Sequence, residues 1–129
     1  MSVGEGIVSR ASPYAVAETL DRLERNLRDR GVEIFARIDH QGAAAAVSLA
    51  MPPCQLLIFG SPRAGTPIML AALTAAIDLP FKALAWQDDR GQVWLSYNHP
   101  EYIARRFGLT VRQVEPLQVL VSLIEQATT

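Results

Sequence analysis

The 129-residue sequence predicts an α+β fold: a two-layer sandwich in which helices cover a mixed sheet of about five strands, in the order β-α-β-α-β-α-β-β-α-α. Three observations carry this. Apolar runs of strand length alternate with segments whose apolar residues return every three or four positions. Ser12-Pro13 and Thr66-Pro67 each join a capping side chain to a proline suited to the first helical position. Asp88-Asp89-Arg90-Gly91 separates two apolar runs by a turn alone, so those runs form a hairpin. A hairpin among helix-linked strands makes the sheet mixed rather than doubly wound and parallel.

The first strand is expected within Val3 to Ala11, around Ile7-Val8. Ser12 then caps a helix whose core stripe is Val16, Leu20, Leu23 and Leu27. Glu18–Arg22, Asp21–Arg25 and Glu24–Arg28 are acid-first pairs four residues apart on its solvated side, and Gly31 ends it. Val32 to Ile38 forms a second strand of mixed alternation. Asp39 caps a short Ala-rich helix from Ala43 to Val47, whose first turn Gly42 weakens.

Met51-Pro52-Pro53 breaks that helix ahead of a third strand, Gln55 to Phe59, whose four consecutive apolar residues mark a central position. Thr66-Pro67 starts a helix through about Leu73 that continues irregularly to Ile77. Leu79-Pro80 returns the chain to the sheet for the hairpin strands Phe81 to Gln87 and Gln92 to Tyr97. Asn98 and Glu101 have capping-box spacing, with Pro100 in the first turn of a helix that stops at Gly108. After a polar linker, Pro116 opens a last helix with Leu117, Leu120, Val121 and Ile124 on its core face.

Residues 1–129 read as a single domain without repeats or low-complexity segments. A chain this long buries roughly two-thirds of its unfolded surface, so neither a disulfide nor a metal is required. The net charge of −1 gives no electrostatic reason to expect nucleic acid or an anionic membrane as partner. Cys54 is the sole cysteine, which excludes an intrachain disulfide and suits a reducing compartment. Met1 to Ala17 lacks the basic flank and apolar core of a signal peptide, and no apolar run has the length to cross a bilayer. A cytoplasmic protein is expected.

Ala36-Arg-Ile-Asp-His40, Leu57-Ile-Phe-Gly-Ser-Pro62, Gly65-Thr-Pro-Ile-Met69, Asp78-Leu-Pro80, Ala85-Trp-Gln-Asp-Asp-Arg-Gly91 and Val93-Trp-Leu-Ser-Tyr97 stand in the order of one known family. The chain resembles the "domain of unknown function 302" family from roughly Ile34 to Gly108. The resemblance implies a small α+β two-layer domain that forms a dimer, and it carries no established activity. Where that family usually has Asn between the Gly and Pro of its strand-ending motif, this chain has Ser61.

Gly60-Ser-Pro-Arg-Ala-Gly65-Thr66 has the glycine spacing of a phosphate loop, but Thr66 and Pro67 stand where the phosphate-reaching lysine belongs. Proline also removes a backbone donor there. Nucleotide hydrolysis is thereby disfavoured. Two readings remain: the backbone amides and Arg63 hold a small anion, or the segment is only a capped strand-to-helix turn.

Asp39-His40 could pair as an acid/base couple, yet Asp39 has a sufficient task as a helix cap and adjacent side chains rarely face each other. Asp78 explains itself as a turn residue before the fourth strand, and approaches the Gly60–Thr66 turn if the third and fourth strands are neighbours. His40, His99 and Cys54 match no metal-ligand spacing, no nucleophile elbow surrounds any serine, and neither cofactor nor metal is indicated. Cys54 is expected to be buried and inert. Trp86 and Trp94 face each other across the hairpin, in the core or at a dimer interface.

The expected function is therefore a non-enzymatic homodimer binding a small anion or metabolite. Its site draws on Asp39, His40, Gly60, Ser61, Pro62, Arg63, Gly65, Thr66, Met69 and Asp78. A structural or protein-interaction module ranks second, and an acid/base enzyme using His40 third.

Overall fold

A computed structural model describes residues 4–129. Val3, the expected start of the first strand, lies outside them. Among the described residues are five strands: β1 (Ile7–Ser12), β2 (Glu33–Asp39), β3 (Cys54–Gly60), β4 (Phe81–Gln87) and β5 (Val93–Asn98). Six helices accompany them: α1 (Val16–Asp29), α2 (His40–Ala46), α3 (Pro62–Ala71), α4 (Pro100–Phe107), α5 (Val111–Val114) and α6 (Gln118–Gln126). Single 3-10 turns span Leu73–Ile77 and Glu115–Leu117.

The strands lie in the order β1-β5-β4-β3-β2, and every neighbouring pair is antiparallel. The α+β two-layer expectation holds; the expectation of a mixed sheet does not. The chain segments carrying α2 and α3 each join adjacent strands and reverse direction. Only the α1 crossover joins strands of like direction, β1 and β2, and it sends them to opposite edges where they never pair.

The stripe read in the sequence organises the core. Val16, Leu20, Leu23 and Leu27 are all buried, against Leu57 and Phe59 of β3, Phe81, Ala83 and Ala85 of β4, and Leu95 and Tyr97 of β5. Leu120, Val121, Leu123 and Ile124 place α6 beside α1 in the same layer. Phe59 and Phe81 meet edge to face with ring centroids 6.1 Å apart, the arrangement the ring quadrupoles prefer. Arg37 fastens β2 to α1, donating to Asp21 Oδ1 at 2.7 Å and to the Ala17 carbonyl at 3.0 Å.

Several boundaries differ from expectation. Ser12 closes β1, shares a 2.7 Å hydrogen bond with Thr19, and leaves α1 to begin at Val16. Pro62, rather than Pro67, opens α3, so Pro67 lies inside the helix. His99, not Asn98, caps α4: its Nδ1 accepts from the Glu101 amide at 3.1 Å. The supposed polar linker contains α5, held by a reciprocal capping box between Thr110 and Gln113. Asp39 does cap α2 as expected, accepting from the Gly42 amide at 2.9 Å.

Candidate functional site: an apolar cavity where β3 leaves the sheet

Two details of β2 and β3 create a hollow. The register slips between Ile34 and Ala36, a bulge that turns Phe35 out of the alternation and leaves it 48 % exposed. Opposite, β3 ends in Gly60, where an added Cβ would meet Pro80 Cβ at 3.6 Å and Phe35 Cε2 at 3.9 Å. Phe35 and Pro80 thus close over a residue without a side chain.

The resulting cavity measures about 160 Å³. The first turns of α3 supply Ser61, Pro62, Ala64, Gly65 and Thr66, and Met69 extends from the next turn. Leu79, Phe81, Leu117 and Leu120 form the remaining wall. Thr66 and Ser61 are its polar side chains, and no ionisable group lines it. Gly65 sits within α3, and the nearest atom to an added Cβ is Met69 Cε at 3.9 Å.

Six of the ten expected site residues are therefore together: Gly60, Ser61, Pro62, Gly65, Thr66 and Met69. Arg63 is exposed on α3 and does not line the hollow. Asp39 and His40 lie at the other end of the sheet. Glu33 pairs with Gly60, whereas Asp39 pairs with Gln55 six residues further along β2, about 20 Å away at the usual strand rise. A pocket shared between the Gly60 turn and His40 does not form, because both belong to antiparallel neighbours at opposite ends. Asp78 is also engaged elsewhere: Arg106 Nη1 donates to its two carboxylate oxygens at 2.9 and 2.8 Å.

The phosphate-loop resemblance dissolves for a related reason. The chain is helical from Pro62 onward, so the two glycines span a strand end and a helical turn rather than a loop that wraps an anion.

Sequence reasoning missed the rest of the lining: Phe35, Ala64, Leu79, Pro80, Phe81, Leu117 and Leu120. A signal existed for Phe35: Ile34-Phe35 puts two large apolar residues side by side, a break in alternation of the kind an inserted bulge residue leaves.

None of the perturbed groups lines the cavity. Burial pushes the Cys54 thiol up, and the nearby Asp39 carboxylate adds to this. Cys54 is half-buried rather than buried, and remains a protonated thiol. Burial lowers the Lys82 ammonium, with Asp78 opposing; its Nζ donates to the carbonyls of Asp78 and Pro80 at 3.2 and 2.9 Å. Among the described residues no three His, Cys, Asp or Glu side chains cluster as a metal site.

With this geometry established, comparison with known proteins decides the family. The profile described as "Domain of unknown function DUF302" matches residues 8–127. The chain belongs to the DUF302 family. Its fold matches the crystal structure of an uncharacterized conserved DUF302 protein from Bacillus stearothermophilus, with a TM-score of 0.79 over 97 % of both chains at 15 % identity.

Curated relatives include proteins named fluoride-specific ion channel FluC 1 from Brucella suis and from Brucella abortus. Each is 37 % identical over 120 residues, covering 93 % of this chain. This chain spans only 47 % and 44 % of their respective lengths. Among the described residues no helix is long and apolar enough to cross a membrane.

Proposed function

We propose that this DUF302 chain is a non-catalytic binding domain that takes a small apolar molecule, or the apolar end of a larger one, into the cavity between β3 and α3. It works as a homodimer in the cytoplasm. The observation that carries the reading is the lining itself: hydrocarbon and glycine on nearly every side, with Ser61 and Thr66 as the polar side chains. This shifts the ligand class from the anion suggested by glycine spacing to a hydrocarbon-rich metabolite.

Size sets the scale. An apolar cavity of about 150 Å³ holds a benzene ring, and this one is about 160 Å³. Six to nine non-hydrogen atoms, at roughly 0.7–0.9 kcal/mol each, give affinities from about millimolar to micromolar. A ligand at ten times its dissociation constant stabilises the fold by about 1.4 kcal/mol.

The test is a melting series with toluene, phenol, indole, 1-hexanol, hexanoate and sodium fluoride, read beside the NMR signal of the Met69 methyl. The expected outcome is a rise of about 3–6 °C with at least one apolar probe, accompanied by a shifted Met69 methyl. Stabilisation by none of them, or by fluoride alone, overturns the proposal.

The second reading, a module that serves within or beside a channel, is favoured by the 37 % identity to the Brucella FluC proteins. A fluoride-only response supports it.

A further inference from the structure

The wall of the cavity is graded from a closed end to an open one. Gly60, Leu79, Phe81, Leu117 and Leu120 are buried, whereas Phe35, Pro62, Thr66 and Pro80 are exposed. A ligand therefore seats hydrocarbon against the buried side chains and presents its other end at the two prolines. Three ionisable residues adjoin the lining in sequence: Arg63 after Pro62, Asp78 before Leu79 and Lys82 after Phe81. Asp78 is occupied, since Arg106 Nη1 donates to both of its carboxylate oxygens. The charge left over at this end of the molecule is positive.

Lys82 is the telling residue. Its ammonium has three donors and no acceptor. Two of them go to neutral carbonyls, that of Asp78 at 3.2 Å and that of Pro80, a rim residue, at 2.9 Å. Among the described residues Lys82 forms no ion pair, although its side chain is half-buried. A charge drawn out of water ordinarily has a counter-ion. Burial lowers this ammonium and the Asp78 carboxylate only opposes the shift, so the compensation is incomplete. One N–H remains to be given, at the rim of an apolar cavity. Arg63 is exposed and likewise forms no ion pair. The Ser61 hydroxyl caps nothing, which leaves its proton for a ligand oxygen.

We infer that the ligand is a small amphiphilic monocarboxylate, with about six carbons of chain or ring in the cavity and its carboxylate held at the rim by Lys82, Arg63 alongside. The inference rests on the apolar-ligand reading above and narrows it. Hydrocarbon walls supply retention, and a few polar groups at the mouth fix orientation. A single negative charge spread over two oxygens matches one free ammonium N–H, one guanidinium and one hydroxyl. A phosphate dianion asks for more donors than these. Glu33, the exposed register partner of Gly60, also opposes a second negative charge.

Lys82 is the only lysine, so lysine labelled with 13C at Cε gives one signal that reads this ammonium directly. The test is an NMR titration at pH 7 with hexanoate, 1-hexanol and acetate. Hexanoate is expected to bind about ten-fold tighter than 1-hexanol, the lower end of what a charge-assisted hydrogen bond contributes. It should move the Lys82 signal and the Met69 methyl together, and raise the pH at which Lys82 titrates. 1-Hexanol should move Met69 alone, and acetate neither. Lys82→Met should lose the ten-fold preference while holding 1-hexanol within about two-fold, and Lys82→Arg should keep it. 1-Hexanol binding as tightly as hexanoate overturns this inference and leaves the apolar-ligand reading standing. If no probe moves Met69, both fall. Acetate binding as well as hexanoate, or a preference that survives in folded Lys82→Met, also overturns the inference. So does an unmoved Lys82 signal in the wild-type chain, which decides the matter if Lys82→Met does not fold.

Discussion

Replacing Gly65 by alanine separates the needs of the fold from the needs of the cavity. Within a helix, glycine is less favourable than alanine by up to about 1 kcal/mol, because more backbone freedom is lost on folding. Gly65 lies inside α3, and a methyl there touches nothing closer than Met69 Cε at 3.9 Å, an ordinary van der Waals distance. No packing cost offsets the gain. The unliganded Gly65→Ala protein is therefore expected to be more stable by about 0.5–1 kcal/mol, a rise of about 2–4 °C for a domain of this size. The same methyl projects toward the hollow. It takes roughly the 30 Å³ share of one water molecule from a cavity of about 160 Å³. The largest probe that fits the wild type is then overpacked by about 1–3 kcal/mol, a five- to hundred-fold loss of affinity. Circular dichroism melts measure the first effect, and NMR titration with toluene and indole the second. A less stable variant refutes the claim that the space beside Gly65 is free. Unchanged probe affinity refutes the claim that ligand occupies it.

Asp88 accepts from Trp94 Nε1 and from the amides of Arg90 and Gln92, and these bonds hold its carboxyl below the ordinary carboxylate range. A depressed folded value means the stabilisation is complete above the unfolded pKa of about 3.9. It is lost as pH falls through the lower folded value. The melting gap between wild type and Asp88→Ala should accordingly be constant at neutral pH and shrink below about pH 4; a gap that widens there contradicts the assignment. The raised Cys54 thiol predicts slow alkylation by iodoacetamide at pH 8, with the rate climbing steeply above the ordinary thiol value of about 8.5. Asp39→Asn should speed that reaction only partly, since burial outweighs the carboxylate; mass spectrometry across pH reads both.

How far the sequence discloses this molecule depends on the range of the forces involved. The α1 stripe, the Asp39 cap and the Asp88–Gly91 turn are decided within a few residues, and each stands where the spacing puts it. Strand order is decided by which faces bury together, so the hairpin was legible while the insertion of β5 between β1 and β4 was not. That insertion, together with the reversals of direction across α2 and α3, makes a sheet expected to be mixed antiparallel throughout. Ser12 and Thr66 show how a strong local signal loses: the Ser12 hydroxyl finds Thr19, and Ser61-Pro62 opens α3 before Thr66-Pro67 is reached. Half of the cavity was legible because Gly60 through Met69 is one contiguous stretch. Its other wall comes from Phe35, Pro80, Leu117 and Leu120, which only tertiary packing assembles.

The separation of His40 from the cavity bears on what the cavity is able to do. Proton transfer needs a titratable group within hydrogen-bond reach of the reacting atom, directly or through one water. About 20 Å of β2 lies between the Gly60 end of the sheet and His40, and Arg106 holds Asp78 outside the lining. Arg63 faces solvent from α3, and Lys82, next to Phe81, turns its ammonium onto the Asp78 and Pro80 carbonyls and does not line the cavity. A molecule seated between Phe35, Met69 and Leu120 thus meets surfaces that exclude water and hydroxyls that orient it, but no side chain that takes or gives a proton at neutral pH. Retention and release are the chemistry such walls support. Moving an acid into them, as in Met69→Glu, should therefore abolish binding of apolar probes, because desolvating a carboxylate there costs more than a small ring can return.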